Sequence, residues 1–189
     1  MAAISNTLAT FLTTGDRIVS IKDSYGGTNV IFNEFLPPLG IEVSLCETGD
    51  YEQLEAEISK GCQVLYLETP TNPTIKITDI KRLSLVAKKV GALVVVDNTF
   101  ATPINQNPLE LGADVVVYSA TKHIDGQGRA MGGCVLTNDV EWSDGDLKQF
   151  MRHTGPSLSP FNAWVHLKGL ETLEIRVERH CRSAQKIAK

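Results

Sequence analysis

The stretch Leu93-Val94-Val95-Val96-Asp97-Asn98-Thr99 decides the fold. Its apolar run is unbroken, largely β-branched and closed by polar residues. Such a run reads as a strand covered on both faces, which is the habit of a parallel sheet between helices. Working outward, strand candidates lie at residues 17–22, 41–46, 63–68, 93–98, 114–120 and 132–137, and several are equally continuous. Helical periodicity fits residues 2–13, 26–35, 51–59, 79–89 and 146–153. Asp50 and Thr78 stand as N-caps, and Gly91 sits where a helix should stop. Alternating strands and helices predict an α/β fold of three layers, with a mostly parallel sheet in the middle. Residues 154–160, with Gly155, two prolines and two serines, read as a linker. Residues 161–189 read as one long amphipathic helix.

Composition narrows the function. At 42% hydrophobic and 21% charged, 189 residues suit one ordinary globular domain with a sizeable core. A net charge of -4 without any Lys/Arg cluster argues against nucleic acid or an anionic membrane as partner. The apolar runs are too short to span a bilayer, and no basic segment followed by an apolar stretch marks a signal peptide. Cys46, Cys62, Cys134 and Cys181 are dispersed with no C-x-x-C pair. They suit reduced thiols in a cytoplasmic protein, and no metal site is expected.

In open α/β sheets, ligands bind beyond the carboxyl ends of the strands. Three such ends carry chemistry. Asp97-Asn98-Thr99 closes one strand, Tyr118-Ser119-Ala120-Thr121-Lys122 follows another, and Glu68-Thr69-Pro70-Thr71-Asn72-Pro73 forms a rigid polar turn after a third. A buried aspartate and a lysine at neighbouring tips are compatible with a structural ion pair. They are equally the parts of a cofactor site. A pyridine ring needs an anion to keep its nitrogen protonated, a lysine to hold its aldehyde, and hydroxyls with backbone amides for its phosphate.

These segments, with Tyr25-Gly26-Gly27-Thr28 and the continuation Phe100-Ala101-Thr102-Pro103, resemble the cystathionine-γ-synthase-like family of pyridoxal-phosphate enzymes in order and spacing. The resemblance covers essentially the whole chain. It implies an aspartate-aminotransferase-like (fold type I) large domain, pyridoxal 5'-phosphate as cofactor, an amino-acid substrate and a homo-oligomer. It also assigns roles. Lys122 would form the Schiff base and shuttle protons, and Asp97 would pair with the pyridinium nitrogen. Tyr25 would stack on the ring and assist the leaving group, and Asn72 would contact the phenolic oxygen. Ser119 and Thr121 would hold the phosphate, with Thr99 a secondary contact and Glu68 a supporting one. Met1-Ala2-Ala3-Ile4 resembles the end of the family's phosphate cradle, which adds Met1 to the site.

Asp125-Gly126-Gln127-Gly128-Arg129, followed by residues 154–164, resembles the O-succinylhomoserine sulfhydrylase branch. The implied reaction is replacement of succinate by sulfide at the γ-carbon, giving homocysteine. Cystathionine γ-synthase, cystathionine γ-lyase and methionine γ-lyase activities remain alternatives, as does a catalytically incompetent fragment. Against the family pattern the chain is expected to be truncated at both ends. Residues 1–155 would be an incomplete cofactor-binding core, and residues 156–189 a linker and helix leading to a small domain. The substrate-carboxylate arginine belongs to that small domain, and its role does not transfer to Arg129, Arg152 or Arg176. A nicotinamide-dependent oxidoreductase is the competing enzyme class. Gly126-Gln127-Gly128 opens a glycine-rich stretch, but Met131 occupies the third-glycine position.

Overall fold

The computed structural model describes residues 1–189. Its strands are β1 (Arg17–Ile21), β2 (Glu42–Cys46), β3 (Val64–Glu68), β4 (Leu93–Asp97), β5 (Val115–Ser119) and β6 (Gly133–Thr137). They form one six-stranded sheet in the order β2-β1-β3-β4-β5-β6. All neighbours pair in parallel except β6, which returns antiparallel to β5. Every expected strand is present, each trimmed by at most a residue at either end.

The helices are α1 (Ala2–Phe11), α2 (Gly26–Val30), α3 (Tyr51–Ser59), α4 (Ile80–Lys89), α5 (Thr102–Asn105), α6 (Val140–Trp142), α7 (Lys148–Thr154), α8 (Pro160–Leu170) and α9 (Leu173–Ile187). α2 runs on through a wider π-type turn at Ile31–Phe35, and a second one at Ser143–Leu147 joins α6 to α7. Side chains alternate across a strand, so the continuous apolar runs feed two cores. Leu65, Leu67, Val94, Val96 and Val116 pack with Leu54, Ile58 and Leu83 of α3 and α4 on one face. Val64, Tyr66, Val95, Val115 and Val117 pack with Ile4, Leu8, Ile31, Phe32 and Trp142 on the other. The result is the three-layer arrangement that the sequence predicts. No helix is long and apolar enough to cross a membrane.

Helix α4 shows how locally this is encoded. Ile80, Leu83, Ser84 and Ala87 make its buried stripe, Lys88 and Lys89 complement the dipole of its last turn, and Gly91 leaves it at a φ of 74°. Asp50 caps α3 as expected, accepting from the Gln53 amide. The cap of α4 is Asp79, however, and not Thr78: the Asp79 carboxylate accepts from Arg82 N. Thr78 is pulled away because its own amide donates to Thr69 Oγ1 in the turn after β3, at 2.9 Å.

The expected single helix over 161–189 is also corrected. A break at Glu171–Thr172 divides it into α8 and α9. The buried residues Val165, Gly169, Leu173 and Val177 are spaced by four throughout, so the periodicity passes through the break unmarked. On a straight helix a spacing of four drifts by roughly 40° per step. The break re-aims the stripe so that both halves face the protein.

Candidate functional site

Tyr66, Val95 and Val117 point to the face covered by α1 and α2. Two residues further along each strand, Glu68, Asp97 and Ser119 point the same way, now at the carboxyl edge of the sheet. Glu68 lies in register beside Asp97, and Asp97 beside Val117. The turn after β5 then presents Lys122, and the turn after β1 presents Tyr25. Strand geometry and the two turns thus bring five of the expected residues to one edge.

Asp97 is 7% exposed, and its carboxylate has little company. Oδ1 accepts from the Thr99 amide at 3.0 Å, while Oδ2 has only a long contact with the Tyr66 hydroxyl, 3.5 Å. It takes part in none of the chain's ion pairs, and neither does Lys122. Burial pushes the Asp97 carboxyl upward, and its hydrogen bonds with Thr99 oppose that. The Lys122 side chain stands in an exposed position, with its amide held by Ser119 O at 3.2 Å.

The other candidates surround this pair in distinct ways. The Thr99 hydroxyl accepts from Ser119 N at 2.8 Å, tying the tips of β4 and β5 together. The Thr121 hydroxyl accepts from Gly132 N at 3.1 Å and donates to Gly132 O at 3.3 Å, which joins the Lys122 turn to the approach to β6. Glu68 receives two backbone amides, Tyr25 N on Oε2 and Asn72 N on Oε1, each at 2.9 Å. It therefore fixes both loops that carry expected cofactor contacts. Tyr25 is 46% exposed, and a Cβ on Gly27 would meet its Cε1 at 2.7 Å and Met1 Sδ at 3.0 Å. Gly27 is what lets these two side chains lie close together. Helix α1 starts at the same place, and its leading amides have no intrahelical acceptor.

Glu68 is pushed up to about 7, by burial first and by neighbouring Asp97, against the opposing effect of the Tyr25 amide. A folded value above the ordinary 4.5 means that the folded state keeps a proton that the unfolded chain releases. Its contribution to stability is present below about 4.5 and is lost as pH rises through about 7. Asp97 adds a slope of the same sign. Melting temperature without ligand is therefore expected to fall between pH 5 and pH 8, and Glu68→Gln should flatten that fall. An equally steep fall in the variant would count against Glu68 as its source.

The donor set fits pyridoxal phosphate. It offers a buried carboxylate without a cation, an amine without a carboxylate, a half-exposed aromatic ring, hydroxyls at the β5 tip and a helix N-terminus suited to an anion. Sequence reading missed three supporting groups. Tyr66 hides within an apolar strand. Asp125, whose sequence context marks only a branch of the family, accepts from Gln127 N, Arg129 N and Arg129 Nε and so shapes the loop after Lys122. Arg176 reaches that loop from a distant helix. Surface concavities lined by Thr10, Gln149 and His153, and by Phe11, Asp114 and Trp142, lie away from this edge and contain none of these groups.

The comparisons with known proteins agree with this chemistry. The family model for Cys/Met metabolism PLP-dependent enzymes matches residues 1–189. The O-succinylhomoserine sulfhydrylase of Mycobacterium tuberculosis (strain ATCC 25618 / H37Rv) is 48% identical over 188 residues, which cover 100% of this chain and 46% of the relative. The L-methionine gamma-lyase of Fusobacterium nucleatum subsp. nucleatum is 43% identical, covering 99% of this chain and 48% of the relative. The crystal structure of metB from Corynebacterium glutamicum superposes with a TM-score of 0.95 at 40% identity, over 100% of this chain and 49% of that one. The chain spans about half the length of the curated relatives it matches.

Proposed function

The chain belongs to the family of PLP-dependent enzymes of Cys/Met metabolism, and on that premise we propose that it carries out γ-replacement on an activated homoserine ester, converting O-succinylhomoserine and sulfide to homocysteine and succinate. One observation carries the reading: Asp97 is buried at a strand tip with no cation of its own, beside a turn that offers an unpaired lysine. The choice of ester is supported by the 48% identity to a sulfhydrylase that uses the same chemistry by name.

Lys122 would hold the cofactor's aldehyde carbon, and Asp97 would lie against its ring nitrogen. Tyr25 would stack on the ring, and Asn72 would contact the phenolic oxygen. Ser119, Thr121 and the start of α1 at Met1 would hold the phosphate, with Thr99 as a secondary contact. When bound, the cofactor supplies an electron sink for charge that develops at the substrate's Cα. The chain's own residues do the rest. The Lys122 amine would take the proton from Cα, give it up at the cofactor's aldehyde carbon, and so be free to take one from Cβ; the same transfers would run in reverse after sulfide has entered at Cγ. Tyr25 would assist departure of the succinate carboxylate. Asp97 would be kept anionic by a cationic ring nitrogen beside it.

A second reading, elimination without sulfide, is favoured by the 43% identity to a methionine γ-lyase. Product analysis separates the two. The proposal expects homocysteine from O-succinylhomoserine plus sulfide, outpacing 2-oxobutyrate. The second reading expects 2-oxobutyrate from methionine with no sulfide consumed. A folded, cofactor-loaded protein that makes neither product would sink both.

Gly27→Ala tests the ring contact, because the added methyl would meet Tyr25 at 2.7 Å. Cofactor affinity should fall about tenfold through the displaced ring, with little change in melting temperature. Unchanged affinity would remove Tyr25 from the site. In this reading residues 1–155 form the cofactor core, residues 156–189 form the linker and its helices, and the protein works as a cytoplasmic homo-oligomer.

A further inference from the structure

The loop from Ala120 to Gly132 carries Lys122 but has no strand or helix of its own. Asp125 braces it from within, and support from outside adds to that, because loops without regular structure are otherwise the mobile parts of a fold. The structure supplies that support from the corner between α8 and α9. α8 comes close enough that a Cβ on Gly169 would lie 2.0 Å from Ile124 O. His166, buried on the same helix, would meet a Cβ on Gly132 at 2.4 Å. From α9, Arg176 then reaches across. Its Nη1 donates to His123 O at 2.8 Å, and its Nη2 donates to Gly169 O at 2.7 Å and to Ile124 O at 3.4 Å. Nε donates to the Thr172 hydroxyl at 3.0 Å.

We infer that Arg176 is a positioning residue for Lys122, clamping the carbonyls of His123 and Ile124 so that the preceding amine is held at the carboxyl edge of the sheet. The inference deepens the reading of Lys122 as the cofactor-holding residue, and rests on it for its functional meaning. Three features argue that the side chain serves the loop. It has no carboxylate partner, so it is not part of a surface charge network. Besides the Thr172 hydroxyl at the start of its own helix, its acceptors are two consecutive loop carbonyls and the helix end that packs on them, a spread that suits the planar guanidinium fork. Its room is kept by Gly126, where a Cβ would lie 2.1 Å from Nη1. Proximity also shows electrostatically, since His123 is held below its ordinary value by burial, by His180 and by Arg176.

The test uses Arg176→Ala and Arg176→Lys beside the wild-type chain, with two readouts. One is amide hydrogen exchange over residues 119–126, with no cofactor present. The other is the rate at which added pyridoxal phosphate is trapped on Lys122 by borohydride, read by peptide mass spectrometry. Both variants should exchange at least about tenfold faster in that segment while β3 and β4 stay protected. Trapping should slow by a similar factor, and guanidinium ion at millimolar concentration should restore part of it to Arg176→Ala where sodium chloride does not. Lysine keeps the charge and most of the stem, so Arg176→Lys carries the test if the alanine variant does not fold. Wild-type exchange in Arg176→Lys would overturn the inference. A wild-type chain that is never trapped on Lys122 would instead overturn the cofactor reading, and the exchange result would still decide the clamp.

Discussion

Lys122→Ala is expected to lose turnover by roughly 10^3-fold or more, in the upper range for removing a proton-transfer group, and to melt at the wild-type temperature. The two halves of this expectation come from the same observations. Lys122 is exposed and makes no ion pair, so truncating it leaves no buried group unpaired, and surface changes of this kind stay within about 0.5 kcal/mol. Its amine is nevertheless the only one offered by the turn that follows β5. Turnover by the cofactor-loaded protein and a thermal melt of the cofactor-free protein check it. A variant that keeps more than a tenth of wild-type turnover would take Lys122 out of the mechanism. A variant that no longer folds would show that the side chain has a structural partner.

Asp97→Asn should separate function from stability more sharply still. The amide oxygen can keep the Thr99 amide that Oδ1 now accepts, and the amide nitrogen can face the Tyr66 hydroxyl in place of Oδ2. What disappears is the charge. A buried carboxylate without a cation is a cost to the ligand-free fold, and burial is the leading cause that pushes its value upward. The variant should therefore melt no lower than wild type at neutral pH, and its melting temperature should vary less with pH. Turnover should fall by roughly 10^2–10^3-fold, the scale for losing one preorganised electrostatic partner. Equal turnover in Asp97→Asn would mean that no cationic ring nitrogen rests against this position.

Much of this was legible in the sequence for physical reasons. Continuous runs such as Val94–Val95–Val96 name a doubly covered strand, because both of its faces must be apolar. Parity along β3, β4 and β5 then places Glu68, Asp97 and Ser119 on a single face, since every second residue shares a side. What was not legible depends on contacts between distant segments. Thr78 and Asp79 are both good N-cap types, and only the bond from Thr78 N to Thr69 Oγ1 hands the cap to Asp79. The α8–α9 break is invisible because the four-residue spacing continues through it. Arg176 carries no local sign of its task either, standing 53 residues from the His123 carbonyl that it holds. Asp125 stands inside a visible motif, but its bonds to Gln127 N and Arg129 N exist only once the loop has turned back on itself.

The most direct measurement is a map of where pyridoxal phosphate attaches. The purified chain is mixed with the cofactor, reduced with borohydride, digested and sequenced by mass spectrometry, with Lys122→Ala beside it. Near-stoichiometric modification at Lys122 in the wild-type chain, and none in the variant, is the expected result. Modification spread over other lysines, or no modification of a folded sample, would contradict the assignment of this strand-tip edge as the cofactor site.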